Sequence, residues 1–220
     1  MTFSRLESID VRHLTTNQPF SAGVILLLQG QLVVGLDADY LPSAEGNKTV
    51  AYQIKGVWGE QKPAETIWQC AFRGAKEKLQ IELTLLPAPA TYFHEIDTGE
   101  QYPVNCSDTI APFLLERQSN LYPYTPLRSG LPAGPYTYFS LFLAQPDHPL
   151  TCPSNMAGLL CIQPELWPML QQQPTLEILL QQGATIIENT RLVRERQLWV
   201  HPWESFTLAA TLLQRHPELL

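Results

Sequence analysis

Within residues 59–81, GEQKPAETIWQCAFRGAKEKLQI, two acids, an arginine and a lysine recur at spacings that can bring them together. Arg73 and Glu77 are four apart, as are Gly74 and Lys78, and on an α-helix such residues stand over one another on one face. Glu65 precedes them across a short loop. Carboxylates in such a place supply oxygen ligands to a hard divalent cation. A guanidinium or ammonium in the same place pairs instead with an anion such as phosphate.

The element that must carry these groups is legible in the same stretch. Trp68, Ala71, Phe72, Ala75 and Leu79 follow the three-four spacing of an amphipathic helix whose apolar stripe faces a core. Arg73, Gly74, Glu77 and Lys78 lie off that stripe. The spacing therefore predicts Trp68, Ala71, Phe72 and Ala75 buried against a sheet, with Arg73, Glu77 and Lys78 facing a cleft or solvent. Arg73 and Glu77 should lie within ion-pair reach. Gly74 has a second reading, since an interior helix glycine also permits close packing.

Gly59, Glu65, Arg73, Ala75, Glu77 and Ile81 also keep the spacing of the Nudix box, which this stretch resembles. The resemblance implies an α/β/α sandwich with a mixed sheet. It also implies a loop and helix that bind magnesium on a nucleoside diphosphate linked to another group. On that basis Glu77, Glu65 and Arg73 are the candidate catalytic residues, and Glu77 is the candidate metal ligand. Three positions depart from the box: Gly74 and Lys78 stand where it has glutamates, and Gln80 replaces a glycine. Gly74 supplies no oxygen, and the Lys78 ammonium would repel a divalent cation or take its place. The alternative for Lys78 is a solvated helix lysine paired with Glu77 or Glu82.

The 220 residues are 45% hydrophobic and 16% charged, with a formal net charge of −7 and a pI near 5.2. That composition suits one globular domain with a sizeable core. It argues against non-specific binding to nucleic acid or to an anionic membrane, so a phosphate site must be local. Cys70, Cys106, Cys152 and Cys161 form no CxxC or Cys/His cluster, which favours reduced thiols over a zinc or redox site. Neither a signal-peptide pattern nor a membrane-length apolar run is visible, and the expected location is the cytoplasm.

In chain order, weak alternation over 9–14 predicts a peripheral strand or arm. The apolar runs 22–28 and 32–36, joined by a glycine turn, predict a buried hairpin. A loop is expected over 37–47, one strand over 50–57 and, after the helix, a strand through Ile81, Leu83 and Leu85. Residues 87–135, rich in proline and tyrosine, predict an irregular insertion with at most a short helix over 109–118. This insertion contributes Tyr122 and Tyr124 to stack on a base and Arg128 to pair with a phosphate. The bland alternative is that the tyrosines only pack the insertion against the sheet. Residues 136–144 predict a central strand, with Asp147 and His148 beyond it as minor acidic and imidazole candidates. A strand over 156–162 and a helix from Pro164 follow. The remainder predicts a helix ended by Gly183, a strand pair over 185–188 and 198–200, and a closing helix over 205–215.

The expected organisation is one domain over 1–220. Its core is about 20–170, the insertion about 87–135 and the C-terminal extension about 175–220. Three functions remain open: a module binding a nucleoside-diphosphate-type ligand with weak or no hydrolysis, an active magnesium-dependent pyrophosphohydrolase, and a protein-interaction scaffold. The ligand-binding candidates are Gly59, Lys78, Arg128, Tyr122 and Tyr124. The expected partners are a small nucleotide-like ligand and, at most, a second copy in a homodimer. Were the protein an active hydrolase, Glu95, Asp97, Glu100, Asp108 and Glu116 are the acids that would have to replace the missing ligands.

Overall fold

The computed structural model describes residues 8–40, 50–201 and 205–216. It opens with β1 (Ser8–Ile9) and α1 (Val11–Thr15), whose first turn is capped by the Asp10 carboxylate. The long apolar run becomes β2 (Phe20–Leu28) and turns into β3 (Gln31–Tyr40). Gln29 and Gly30 both take positive φ (52° and 79°), the turn geometry that matches the twist of a hairpin. Next come β4 (Val50–Lys55) and β5 (Val57–Glu60), so the single expected strand is two, parted at Gly56. Then follow α2 (Ile67–Leu79), β6 (Leu83–Leu86), β7 (Thr91–Glu95), β8 (Glu100–Cys106), β9 (Leu114–Ser119) and β10 (Tyr136–Pro146). The chain closes with β11 (Gly158–Ile162), a 3-10 turn (Pro164–Leu166), α3 (Trp167–Leu170), α4 (Leu176–Gln181), β12 (Thr185–Ile187), β13 (Leu198–Val200) and α5 (Ser205–Arg215).

β2 is the hub. One edge runs parallel to β10 from Phe20↔Tyr138 to Leu26↔Ala144. The other edge is shared, antiparallel, by β5 over Ser21–Val24 and by β3 over Leu26–Leu28. Side chains alternate across the pleat, so Ala22 and Val24 pack in one layer with Ala71, Ala75 and Leu79 of α2. Ile25 and Leu141 face the opposite layer with Phe206, Ala209 and Leu213 of α5. The result is a mixed sheet with helices on both faces, the α/β class expected.

Several expectations are corrected. The insertion is irregular only in part, since three strands run through its first portion: β7 and β8 pair antiparallel, β7 runs parallel to β9, and β9 pairs antiparallel with β10. Pro103 sits within β8, where β1 covers only Asn105 and Cys106 on the outer side, and a proline at an uncovered edge loses no ladder bond. The short helix expected over 109–118 is β9, because Leu114 and Leu115 are buried in opposite layers of the core. Asp37 to Tyr40 continue β3, while residues 41–49 of the expected loop lie outside the described residues. β12 and β13 do not pair with each other; they join β11 and β4. The N-terminal arm is mostly the helix α1. All four cysteines are free, and no described helix is long and apolar enough to cross a membrane.

Candidate functional site

The loop after β5 enters α2 through a reciprocal cap: Thr66 Oγ1 accepts from Gln69 N, and Gln69 Oε1 accepts from Thr66 N. Two orphan N–H groups are thereby satisfied, and the start of the helix is set. The buried face is Ile67, Cys70, Ala71, Gly74, Ala75 and Leu79. Ala71 and Ala75 are buried as expected, but Phe72 is 37% exposed. Trp68 is half-buried, with Nε1 donating to Ile110 O at 2.9 Å. The helix is rolled so that its small residues meet the sheet.

Gly74 explains the roll and leaves the charged face. A Cβ there would stand 2.7 Å from Gly59 N and 2.9 Å from Gly59 Cα, with backbone on the far side that cannot yield. Gly74 is therefore where α2 touches β5. Its close-packing reading is the one this contact supports. Cys70 Sγ donates to Gly59 O at 3.2 Å in the same seam, and burial, followed by the nearby Glu65 charge, pushes its thiol up to about 12.

Arg73 binds the loop to the helix. Its Nε donates to Glu65 Oε1 at 2.7 Å and its Nη2 to Glu65 Oε2 at 2.9 Å, a bidentate pair. Nη2 also donates to Glu60 O at 2.6 Å, and Nη1 to Glu77 Oε2 at 2.9 Å. The Arg73–Glu77 pair is thus present, but the stronger partner of Arg73 lies off the helix. Lys62 completes the cluster, its backbone N–H donating to Glu65 Oε2 and its Nζ to Glu77 Oε1, both at 2.9 Å. Burial opposes ionisation of Glu65, yet the Arg73 and Lys62 hydrogen bonds outweigh it and hold the carboxyl below its ordinary value. Glu77 is lowered chiefly by Lys62, then by Arg73. Arg73 is raised, first by Glu65.

These residues are paired with one another rather than arranged as an open magnesium site. All four carboxylate oxygens of Glu65 and Glu77 already accept from Arg73 or Lys62, whereas a hard cation needs several free oxygens. Among the described residues no group of three or more His, Cys, Asp or Glu gathers. The reserve acids are engaged elsewhere: Glu95 with Arg117, Asp97 with Ser119 N, Asp108 with Val11 N, and Glu116 with His94. Glu100 opens β8, and Asp147 Oδ1 accepts from Thr84 Oγ1. The carboxylates near Lys78 also meet other lysines. Glu77 takes Lys62 and Glu82 takes Lys76, while Lys78 Nζ lies 4.5 Å from the Trp58 ring centroid.

Trp58 belongs to the other face. In β5, Val57 and Gly59 face α2, so Trp58 and Glu60 point to the opposite side of the sheet. Ladder register sets Glu60, Ser21 and Phe139 in one row, and Trp58, Gly23 and Leu141 in the next. Beneath Trp58 only glycine fits, since a Cβ on Gly23 would stand 2.5 Å from Val57 O. These rows, with Leu127, His201 and Phe206, line a cavity of about 360 Å³. On the α2 side, Lys62, Glu65, Trp68, Phe72 and Arg73 line a wider groove of about 700 Å³, open to solvent.

Of the insertion residues, Arg128 pairs with Glu60 at the cavity wall. Tyr122 and Tyr124, 84% and 41% exposed, touch each other edge-on with centroids 5.5 Å apart. Neither is among the residues that line the cavity. Sequence reasoning missed Lys62, Trp58, Glu60 and the rows behind them. Strand alternation carried through Trp58 and Glu60 would have placed both opposite α2, but nothing local marks Lys62 or Phe139.

No protein-family model matches the chain, and no curated protein matches it. Among solved structures it is similar to a Nudix hydrolase from Nitrosomonas europaea, at 10% identity and TM-score 0.37 over 69% of this chain and 62% of that one. Another Nudix hydrolase structure from that organism gives 9% identity and TM-score 0.38 over 74% and 84%. The solution structure of the E. coli ORF135 protein gives 13% identity and TM-score 0.35 over 68% and 76%. The chain thus spans less than two thirds of the first of these, 62% of its length. Likenesses this loose say nothing of what this chain binds or catalyses, and the site stands on its own residues.

Proposed function

We propose that the chain binds a nucleoside-diphosphate-type ligand without a metal and hydrolyses it weakly or not at all. The observation that carries this reading is that Arg73 and Lys62 engage every carboxylate oxygen of Glu65 and Glu77. A cluster of two acids and two bases has no net charge left to attract a divalent cation. The cavity on the opposite face supports the binding half of the proposal. At about 360 Å³ it falls near the lower end of small-molecule sites, roughly 300–1,000 Å³. Trp58 offers an aromatic wall for a base, and two cations touch lining residues from outside, Lys78 over the Trp58 ring and Arg128 on Glu60; stacking and charge-assisted pairing are what a nucleotide needs.

Calorimetry tests both halves. ADP should bind in EDTA, and magnesium alone should give no heat. Offered nucleotide sugars, dinucleoside polyphosphates and nucleoside triphosphates with magnesium, the protein should turn over far below about 1 per second. Turnover at that rate, or ADP binding that demands magnesium, overturns the proposal. One observation favours a second reading, a protein-docking surface: Leu121, Tyr122 and Leu127 are 92%, 84% and 77% exposed on a single loop. Failure of all nucleotide probes would leave that reading standing.

A further inference from the structure

Resting on the cavity reading above, we propose that Glu60 is a built-in competitor for Arg128. In this proposal a ligand binds by taking the guanidinium from that carboxylate with its own phosphate.

The loop that carries Arg128 has a fixed neck. Ser119 pairs with Tyr136 at the end of the β9–β10 ladder. Just beyond it, Asn120 N donates to Pro135 O and Asn120 Nδ2 to Gly134 O, both at 2.8 Å, while Thr137 Oγ1 donates to Asn120 Oδ1 at 2.9 Å. Residues 121–133 thus leave and return at one point, as in an Ω-loop. The crown is poorly buried, as the exposure of Leu121, Tyr122 and Leu127 attests. It rests on the end of β5 and on the loop before α2. Arg128 pairs with Glu60, and the Cα of Gly130 faces Pro63, so that a Cβ added there would meet Pro63 Cγ at 3.6 Å.

Both ends of the Arg128–Glu60 connection bear on the cavity, since Glu60 lines it and Leu127, next to Arg128, lines it too. The Arg128 and Glu60 side chains are 69% and 52% exposed, and a pair so wet holds weakly. A doubly charged phosphate offers the guanidinium the same bidentate geometry with more charge than one carboxylate. A ligand without phosphate gains nothing from the exchange and leaves the pair closed. Glu60 therefore acts as a filter for phosphate, and it reduces the affinity of every ligand that must break the pair.

The test is calorimetry on the full chain in EDTA with ADP and with adenosine, comparing wild type, Glu60→Gln and Arg128→Gln. Glu60→Gln should tighten ADP about threefold to fivefold, the size that an exposed pair allows. Arg128→Gln should weaken ADP about tenfold. Adenosine should bind all three proteins alike. Both side chains are more than half exposed, so both variants should keep the wild-type melt, which is checked first. Equal ADP affinities across the three proteins, or weaker ADP binding by Glu60→Gln, would overturn the competitor role while leaving the cavity reading intact. Absence of ADP heat in all three, with the fold unchanged, would overturn the inference and the cavity reading together.

Discussion

The two faces of β5 show how one four-residue strand serves opposite ends. Toward α2 it presents Val57 and Gly59 to a seam where backbone meets backbone and where the nearby charges are all mutually paired. Away from α2 it presents Trp58 and Glu60 to a cavity only partly closed, beside cations that solvent still reaches. Among the residues whose spacing resembles the Nudix box, Gly59, Glu65, Arg73 and Glu77 are those that hold loop to helix here. Residues that keep that spacing are engaged here in packing and ion pairing. The α2 face should answer to perturbation through stability, and the cavity face through binding.

The sharpest way to break that division is Gly74→Glu, which drives a side chain into the Gly59 backbone. It should cost about 3 kcal/mol in denaturant unfolding, and the same outcome with Lys78→Glu added would exclude Gly74 as a position for a restored ligand. Arg73→Ala comes next. It strips donors from a Glu65 side chain only 10% exposed and should cost about 2 kcal/mol by the same measurement.

Acid should reach this face before neutral pH does. Glu65 and Glu77 titrate below the ordinary glutamate value of 4.5 when folded, so the unfolded chain takes up their protons first. Their stabilisation is whole above about pH 4.5 and is lost as pH falls through the folded values. Stability measured from pH 6 downward should show this decline, shallower in Arg73→Ala than in wild type.

Lys62→Ala should cost under about 1 kcal/mol, because that pair is more than half exposed. Calorimetry should still find no magnesium heat, since only Glu77 Oε1 is freed while Arg73 still spans both carboxylates, and one oxygen is too few for a hard cation. A heat appearing there would identify Lys62 alone as what excludes the cation. Trp58→Ala should be read chiefly through binding: it should weaken ADP about tenfold through lost stacking, with a stability cost of about 1 kcal/mol for its partly exposed ring. A large loss of stability with unchanged ADP affinity would reverse the assignment of the two faces.

What the amino-acid sequence determined alone are the parts that depend on neighbours within one or two turns. The helix over 67–79, its Arg73–Glu77 pair and the hairpin of β2 and β3 follow from periodicities of 3.6 and 2 and from a glycine turn. The central place of β10 follows from its β-rich run between prolines. The roll of α2 was misread because Trp68 and Phe72 outrank Gly74 and Ala75 in hydrophobicity, whereas close approach to a sheet favours the smaller residues. The strands within the insertion are not legible locally because Pro103 is tolerated at an edge that exists only once β8 is paired. The choice of Lys62 as the ammonium on Glu77, and the joining of Ser21, Trp58, Phe139 and Phe206 around one cavity, depend on contacts between residues far apart in the chain. Local spacing carries no record of those distances, so only the tertiary structure could decide them.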